Sequence, residues 1–227
     1  MNKRKTILAI TVFYIIAISL RFITNKTGIL EGINSFLLKA VLEGMGPTIG
    51  ALISILIFKI PIKMSLKGNF KNMIIPFSIY WLLPILLIGT TAYFTNGTFP
   101  IITIFTVLIY GLLEEIGWRG FLQQLLKPLP KFWLILIITI LWFVWHLDFS
   151  LTTGNLIFFG ILLLGSWGIG LVSDATNSLL AVAAFHSLNN FFSDFNTLKI
   201  IILIVLITIW ILSVIFSKRL NFTKNEK

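Results

Sequence analysis

Cysteine is absent from the 227 residues. Its absence excludes disulfides, a thiolate nucleophile and any cysteine-ligated metal. Acid is scarce, with eight Asp and Glu against 18 Lys and Arg. Histidine occurs twice, at His146 and His186. The HExxH spacing that marks many zinc proteases does not occur. Neither an internal repeat nor a low-complexity linker interrupts the chain, and its length leaves no room for a soluble module beside a membrane domain. What the sequence has in quantity is apolar: 57% of residues are hydrophobic, 21 are phenylalanine, only 11% are charged and the mean hydropathy is +0.99. A soluble domain cannot hide so much apolar surface, whereas repeated runs near 20 residues are what a bilayer requires. The expected fold is therefore all-α: a polytopic membrane helical bundle forming one integral-membrane domain over residues 1–227.

The net charge of +10 is compatible with nucleic acid in bulk but not in placement. The basic residues fall in short clusters between apolar runs, as the positive-inside rule expects, so the partner is the lipid bilayer and not nucleic acid. The apolar runs predict spans at 6–24, 36–58, 73–94, 99–126, 132–149, 155–172, 177–192 and 199–216. Asn2-Lys-Arg-Lys5 ahead of the first has the look of a signal peptide, but the run is too long for one and no small-residue cleavage site follows. Arg21, near the far end of that span, is expected to snorkel to the interface. In the second span, Gly46 and Gly50 stand at a spacing suited to close helix packing and Pro47 predicts a kink. Glu43 near its start reads as interfacial. Pro76 and Pro84 are expected to break the third span. Eight spans put both termini on one side, where thirteen basic residues face only Lys26, Lys39 and Lys199 on the other. Both termini are expected to be cytoplasmic, in a multi-pass protein of the cell membrane.

Against this background, Tyr110-Gly-Leu-Leu-Glu-Glu-Ile-Gly-Trp-Arg-Gly-Phe121 stands out, with Glu114, Glu115 and Arg119 inside an apolar run. A charged side chain at the bilayer centre costs roughly 2.5–3.5 kcal/mol, so three together must gain something from one another or from function. Glu115 and Arg119 are four residues apart and can pair on one helix face. Glu114 points about 100° away. A salt bridge that merely supports packing explains Glu115 and Arg119 and leaves Glu114 unaccounted for. Both histidines also fall in predicted spans. His146 follows Trp142 by four residues, and His186 precedes Asn190 by four and Asn189 by three, so each histidine shares a face with a second polar or aromatic group. A buried histidine is commonly a satisfied hydrogen-bonding residue, and paired asparagines are commonly packing glue. Two histidines and two carboxylates in hydrocarbon nevertheless offer what peptide hydrolysis needs: a general base for water and donors for an oxyanion. The same Glu114, His146 and His186 could instead ligate zinc.

Glu114-Glu115-x-x-x-Arg119, Trp142-x-x-x-His146 and His186-x-x-x-Asn190, in that order, resemble the CAAX protease and bacteriocin-processing family, also called the Abi family, which includes the type II CAAX prenyl endopeptidases. The resemblance covers about residues 99–195. It implies an eight-helix intramembrane endopeptidase with a polar cavity. It implies that Glu114 and His146 activate water and that His186 and Asn190 stabilise the oxyanion. Glu115, Arg119 and Trp142 would then be supporting residues, with no cofactor required and zinc the alternative. The substrate would be a peptide or protein, and bacteriocin processing or self-immunity are roles that relatives of this kind serve.

Two other classes compete with the endopeptidase. A non-catalytic membrane immunity or scaffold protein could keep the fold without the chemistry. A small ion-coupled transporter is less well supported, because the acids cluster on one helix and no pair of broken helices is evident. A serine intramembrane protease of the rhomboid kind is disfavoured by Gly165-Ser166-Trp-Gly168, which lacks the expected order, and Asp148 and Asp174 read as interfacial and not as a catalytic pair.

Overall fold

In the computed structural model the described residues are 2–61 and 63–191, with positions 197, 200–202, 204–205 and 208 beyond them. The chain is a bundle of helices. α1 is Lys3–Lys26, α2 is Phe36–Phe58, α4 is Ile101–Leu126, α5 is Lys131–Trp145, α6 is Thr153–Thr176 and α7 is Leu179–Phe191. α3 spans residues 70–96 in three parts: Phe70–Phe77, a π-helical turn Ser78–Leu82, and Leu83–Asn96. Four helices, α1, α2, α4 and α6, are long and apolar enough to cross a membrane. Leu56, Phe94, Ile102 and Leu156 lie on the outside of the bundle, each at least 70% exposed, as lipid-facing side chains would. The eighth predicted span, 199–216, lies largely outside the described residues, as does the expected end of the seventh at residue 192.

Local chemistry sets most of the helix starts. The side chains of Asn2, Ser35 and Thr152 accept from the backbone N–H groups of Arg4, Leu38 and Asn155, satisfying donors that the first turn leaves open. Three expectations change. Pro76 and Pro84 do not end α3: the chain stays helical through the π turn between them, and Pro84 lies at the start of the segment that follows. α5 stops at Trp145 and not at residue 149, because Leu147 takes a left-handed φ of 58° that no α-helix continues through. His146, expected toward the end of this span, is its C-cap. α6 runs on to Thr176, past the expected end at residue 172, and closes on Asn177 with φ 49°.

Packing depends on close backbone approach. A Cβ on Gly46 would lie 2.8 Å from the Ala17 carbonyl oxygen, and one on Gly50 would lie 2.5 Å from that of Phe13, so α1 rests directly on the small-residue face of α2. Gly117 of α4 meets Pro47 of α2 in the same way, and the Thr48 hydroxyl donates to the Leu113 carbonyl. Phe13, Trp118, Phe121, Trp142 and Trp145 fill the centre, with Phe13 edge-on to Trp118 at 5.6 Å and Trp118 edge-on to Trp145 at 6.1 Å. At the end of the bundle that carries the N-terminus, the stretch 65–69 is tied to the α6–α7 turn. Leu179 N–H donates to the Ser65 carbonyl at 3.0 Å, and Asn69 N–H donates to that of Thr176 at 2.8 Å.

Candidate active site

The regular part of α4 ends at Glu115, and residues 116–122 form a π-helical segment. Such wide turns recur at functional sites, where they redirect side chains. Glu114, Glu115 and Arg119 are no more than 1% exposed, and His186 is 3% exposed. Arg119 donates to Glu115 Oε1 at 2.8 Å, the pair expected from the spacing. The same oxygen accepts from His186 Nδ1 at 2.6 Å. His186 is thus joined to Glu115 across the α4–α7 contact, a link that no spacing within one helix could reveal.

Glu114 is not isolated. Its Oε2 accepts from the indole N–H of Trp142 at 2.9 Å, and Tyr110, one turn earlier, stands beside it. These are neutral partners: among the described residues no cation forms an ion pair with Glu114. Trp142 is the hub of the arrangement. Its ring lies 5.2 Å from the His186 ring and 6.3 Å from the His146 ring, centroid to centroid, and the Arg119 guanidinium stacks over it at 4.7 Å. Glu114 and both histidines therefore surround one indole. Asn190 follows His186 by one turn, partly buried and already partnered.

A carbonyl and a carboxylate only accept, which fixes the histidine tautomers. His146 Nδ1 donates to the Trp142 carbonyl at 2.8 Å, and His186 Nδ1 donates to Glu115. Neither ring's Nε2 has a hydrogen-bond partner among the described residues. Glu115 Oε2 and the Nε and Nη2 atoms of Arg119 have no hydrogen-bond partner among the described residues, although they are fully buried. Buried polar atoms are rarely left so, and here they mark unused capacity beside the cluster.

Residues 95–192 match the family model described as type II CAAX prenyl endopeptidase Rce1-like. Over that segment, somewhat under half of the chain, the sequence is similar to the CAAX protease family. No curated protein and no solved structure matches it. The matched segment contains Glu114, Glu115, Arg119, Trp142, His146, His186 and Asn190.

Among the described residues no group of three or more His, Cys, Asp or Glu side chains is gathered closely enough to hold a metal ion.

Two charged residues outside the matched segment also adjoin the cluster. Arg21 does not snorkel: it is 9% exposed, its Nη1 donates to the Glu43 carbonyl at 3.3 Å, and its guanidinium stacks over Trp145 at 4.3 Å. With its oxygen turned inward, the Asn25 amide accepts from Arg21 Nε and Nη2 at 3.0 and 3.1 Å. The reason is the antiparallel seating of α2 on α1, which brings backbone acceptors to a guanidinium that sequence position alone puts at an interface. Glu43 is half-buried beside it. Tyr110 was legible in principle, since it precedes Glu114 by four residues. Asp148 and Asp174 keep to the helix ends as expected. Asp148 is exposed, and hydrogen bonds from the Ser150 hydroxyl and N–H hold its carboxyl below the usual range. Asp174 pairs with Lys127 at 3.4 Å and accepts from Gln123.

Proposed function

We propose that the chain is an intramembrane endopeptidase that hydrolyses a peptide bond with water activated by Glu114 and His146. The observation that carries this reading is Glu114 itself, a carboxylate buried among neutral donors next to two histidines whose Nε2 atoms have no hydrogen-bond partner among the described residues. A residue placed for packing alone would be matched by a cation, as Glu115 is by Arg119.

Glu114 takes a proton from water while His146 Nε2 accepts a hydrogen bond from it and holds it in line. The water oxygen bonds to the scissile carbonyl carbon, and the electron pair of the C=O bond moves to oxygen. His186 and Asn190 stabilise that oxyanion. Because His186 Nδ1–H is spent on Glu115, donation from Nε2 requires the doubly protonated ring, with the Glu115 carboxylate as its counter-ion. The C–N bond then breaks, and its nitrogen takes the proton carried by Glu114. One carboxylic acid and one amine leave, with no change of oxidation state. Positioned acid–base groups of this kind contribute on the order of 10²–10⁴ in rate.

Purified protein supplied with a pool of fluorogenic peptides tests the reading. Glu114→Gln is nearly isosteric and should leave folded yield unchanged while cleavage falls by about 10²-fold or more. Wild-type cleavage by Glu114→Gln at normal yield would sink the assignment. Cleavage should also survive a chelator; loss on chelation with recovery on adding zinc would replace the glutamate route by a metal one. Bacteriocin processing and self-immunity are roles this chemistry would serve. A producer strain carrying Glu114→Ala at wild-type membrane levels should then lose protection, whereas a scaffold that acts by occupancy would keep it.

A further inference from the structure

The contacts between helices give each end of the bundle a direction. Tyr14 and Arg21 of α1 meet Leu141 and Trp145 of α5, so these two helices run parallel. Gly44 and Pro47 of α2 meet Tyr110 and Gly117 of α4, so that pair is parallel too, in the opposite sense. Lys3, Arg4, Lys5, the loop from Lys59 to Lys71, Lys127 and Lys131 consequently share one end. The loops 27–35 and 147–152 share the other.

The two ends are closed differently. At the basic end, the stretch 65–69 is hydrogen-bonded across the α6–α7 turn, Gln123 binds Asp174 and the Gly170 carbonyl, and Lys127 pairs with Asp174. Trp118, Phe121 and Leu122, at most 2% exposed, fill the space between that end and Glu114. At the opposite end His146, Tyr110 and Glu43 are all partly exposed, His146 caps its helix, and a cavity of about 390 Å³ lies between the α1–α2 loop and Glu43.

We infer that the site opens at the end of the bundle opposite the N-terminus, and that its substrate is a peptide presented at the outer face of the membrane. The geometry of the opening stands on burial and closure alone. The direction follows from the basic end lying in the cytoplasm, and the word substrate rests on the endopeptidase reading. A peptide reaching the cluster from the cytoplasm would have to displace a sealed aromatic layer. One arriving at the outer face meets His146 and Tyr110 first.

The absence of cysteine makes the test direct. Single cysteines are placed at Leu151 (fully exposed in the loop after α5), at Glu43 on the cavity wall, at His146, and at Lys67 in the stretch tied over the basic end. Bacterial cells expressing each full-length variant are treated with a membrane-impermeant maleimide, before and after permeabilisation. Leu151→Cys, Glu43→Cys and His146→Cys should label in intact cells, and Lys67→Cys only after permeabilisation. Labelling of Lys67→Cys but not Leu151→Cys in intact cells would reverse the direction. Labelling of Leu151→Cys with none at Glu43→Cys or His146→Cys, or only after permeabilisation, would overturn the opening. Should His146→Cys fail to accumulate, Tyr110→Cys, partly exposed and beside Glu114, decides whether the opening exists. Peptide cleavage is read separately: the expected labelling with no cleavage would remove the endopeptidase reading and leave the opening intact.

Discussion

Arg119→Ala is expected to cost roughly 3–5 kcal/mol of folding stability, because it strips the cation from a buried pair. Its guanidinium is fully buried, bonds Glu115 at 2.8 Å and stacks over the indole that holds Glu114, so one substitution removes two supports at once. His186 remains on Glu115 Oε1, which softens the loss and directs the control experiment. In the Arg119→Ala background, Glu115→Gln removes the stranded charge and should recover part of the folded yield, read by detergent-resistant folded fraction or thermal unfolding. If Arg119→Ala and Glu114→Gln lower the folded yield equally, the cluster is structural and the division between chemistry and support is wrong. If Glu115→Gln makes Arg119→Ala worse, the ion pair is not what Arg119 contributes.

Gly50→Ala is expected to destabilise the bundle by about 3 kcal/mol, at the upper end for overpacking. The added Cβ would press on a backbone oxygen of Phe13 at 2.5 Å, and a backbone cannot rotate away as a side chain can. α1 must lift, and it carries Arg21 and the Ala17 carbonyl that accepts from the Trp145 indole at 3.1 Å. Gly160 in α6 is the matched control, since a Cβ there meets nothing within 4 Å. Gly160→Ala should be neutral or stabilising, helped by up to about 1 kcal/mol of helix propensity. Equal thermal shifts for the two variants would show that propensity, and not the α1–α2 contact, governs this site.

The sequence made the helical membrane class legible because hydrocarbon forces every spanning segment to satisfy its own backbone, and apolar runs record that demand locally. It also placed Glu115 with Arg119, since four residues along a helix bring side chains together whatever surrounds them. Gly46 and Gly50 announced a close helix contact for the same reason, as small residues repeated on one face of a single helix. Tertiary structure decided what depends on a second helix. Trp142 reaches Glu114 across 28 residues, and His186 reaches Glu115 across 71, so neither spacing carried the information. Arg21 left the interface for the interior because α2 and α5 supply a carbonyl and an indole that its own helix lacks. The left-handed turn at Leu147 ended the helix at Trp145 and made His146 its cap, and no apolar pattern records a turn of that kind. Hydrophobic period and charge placement are properties of one segment and survive in one dimension; a shared hydrogen bond between helices is a property of their docking, and only the fold contains it.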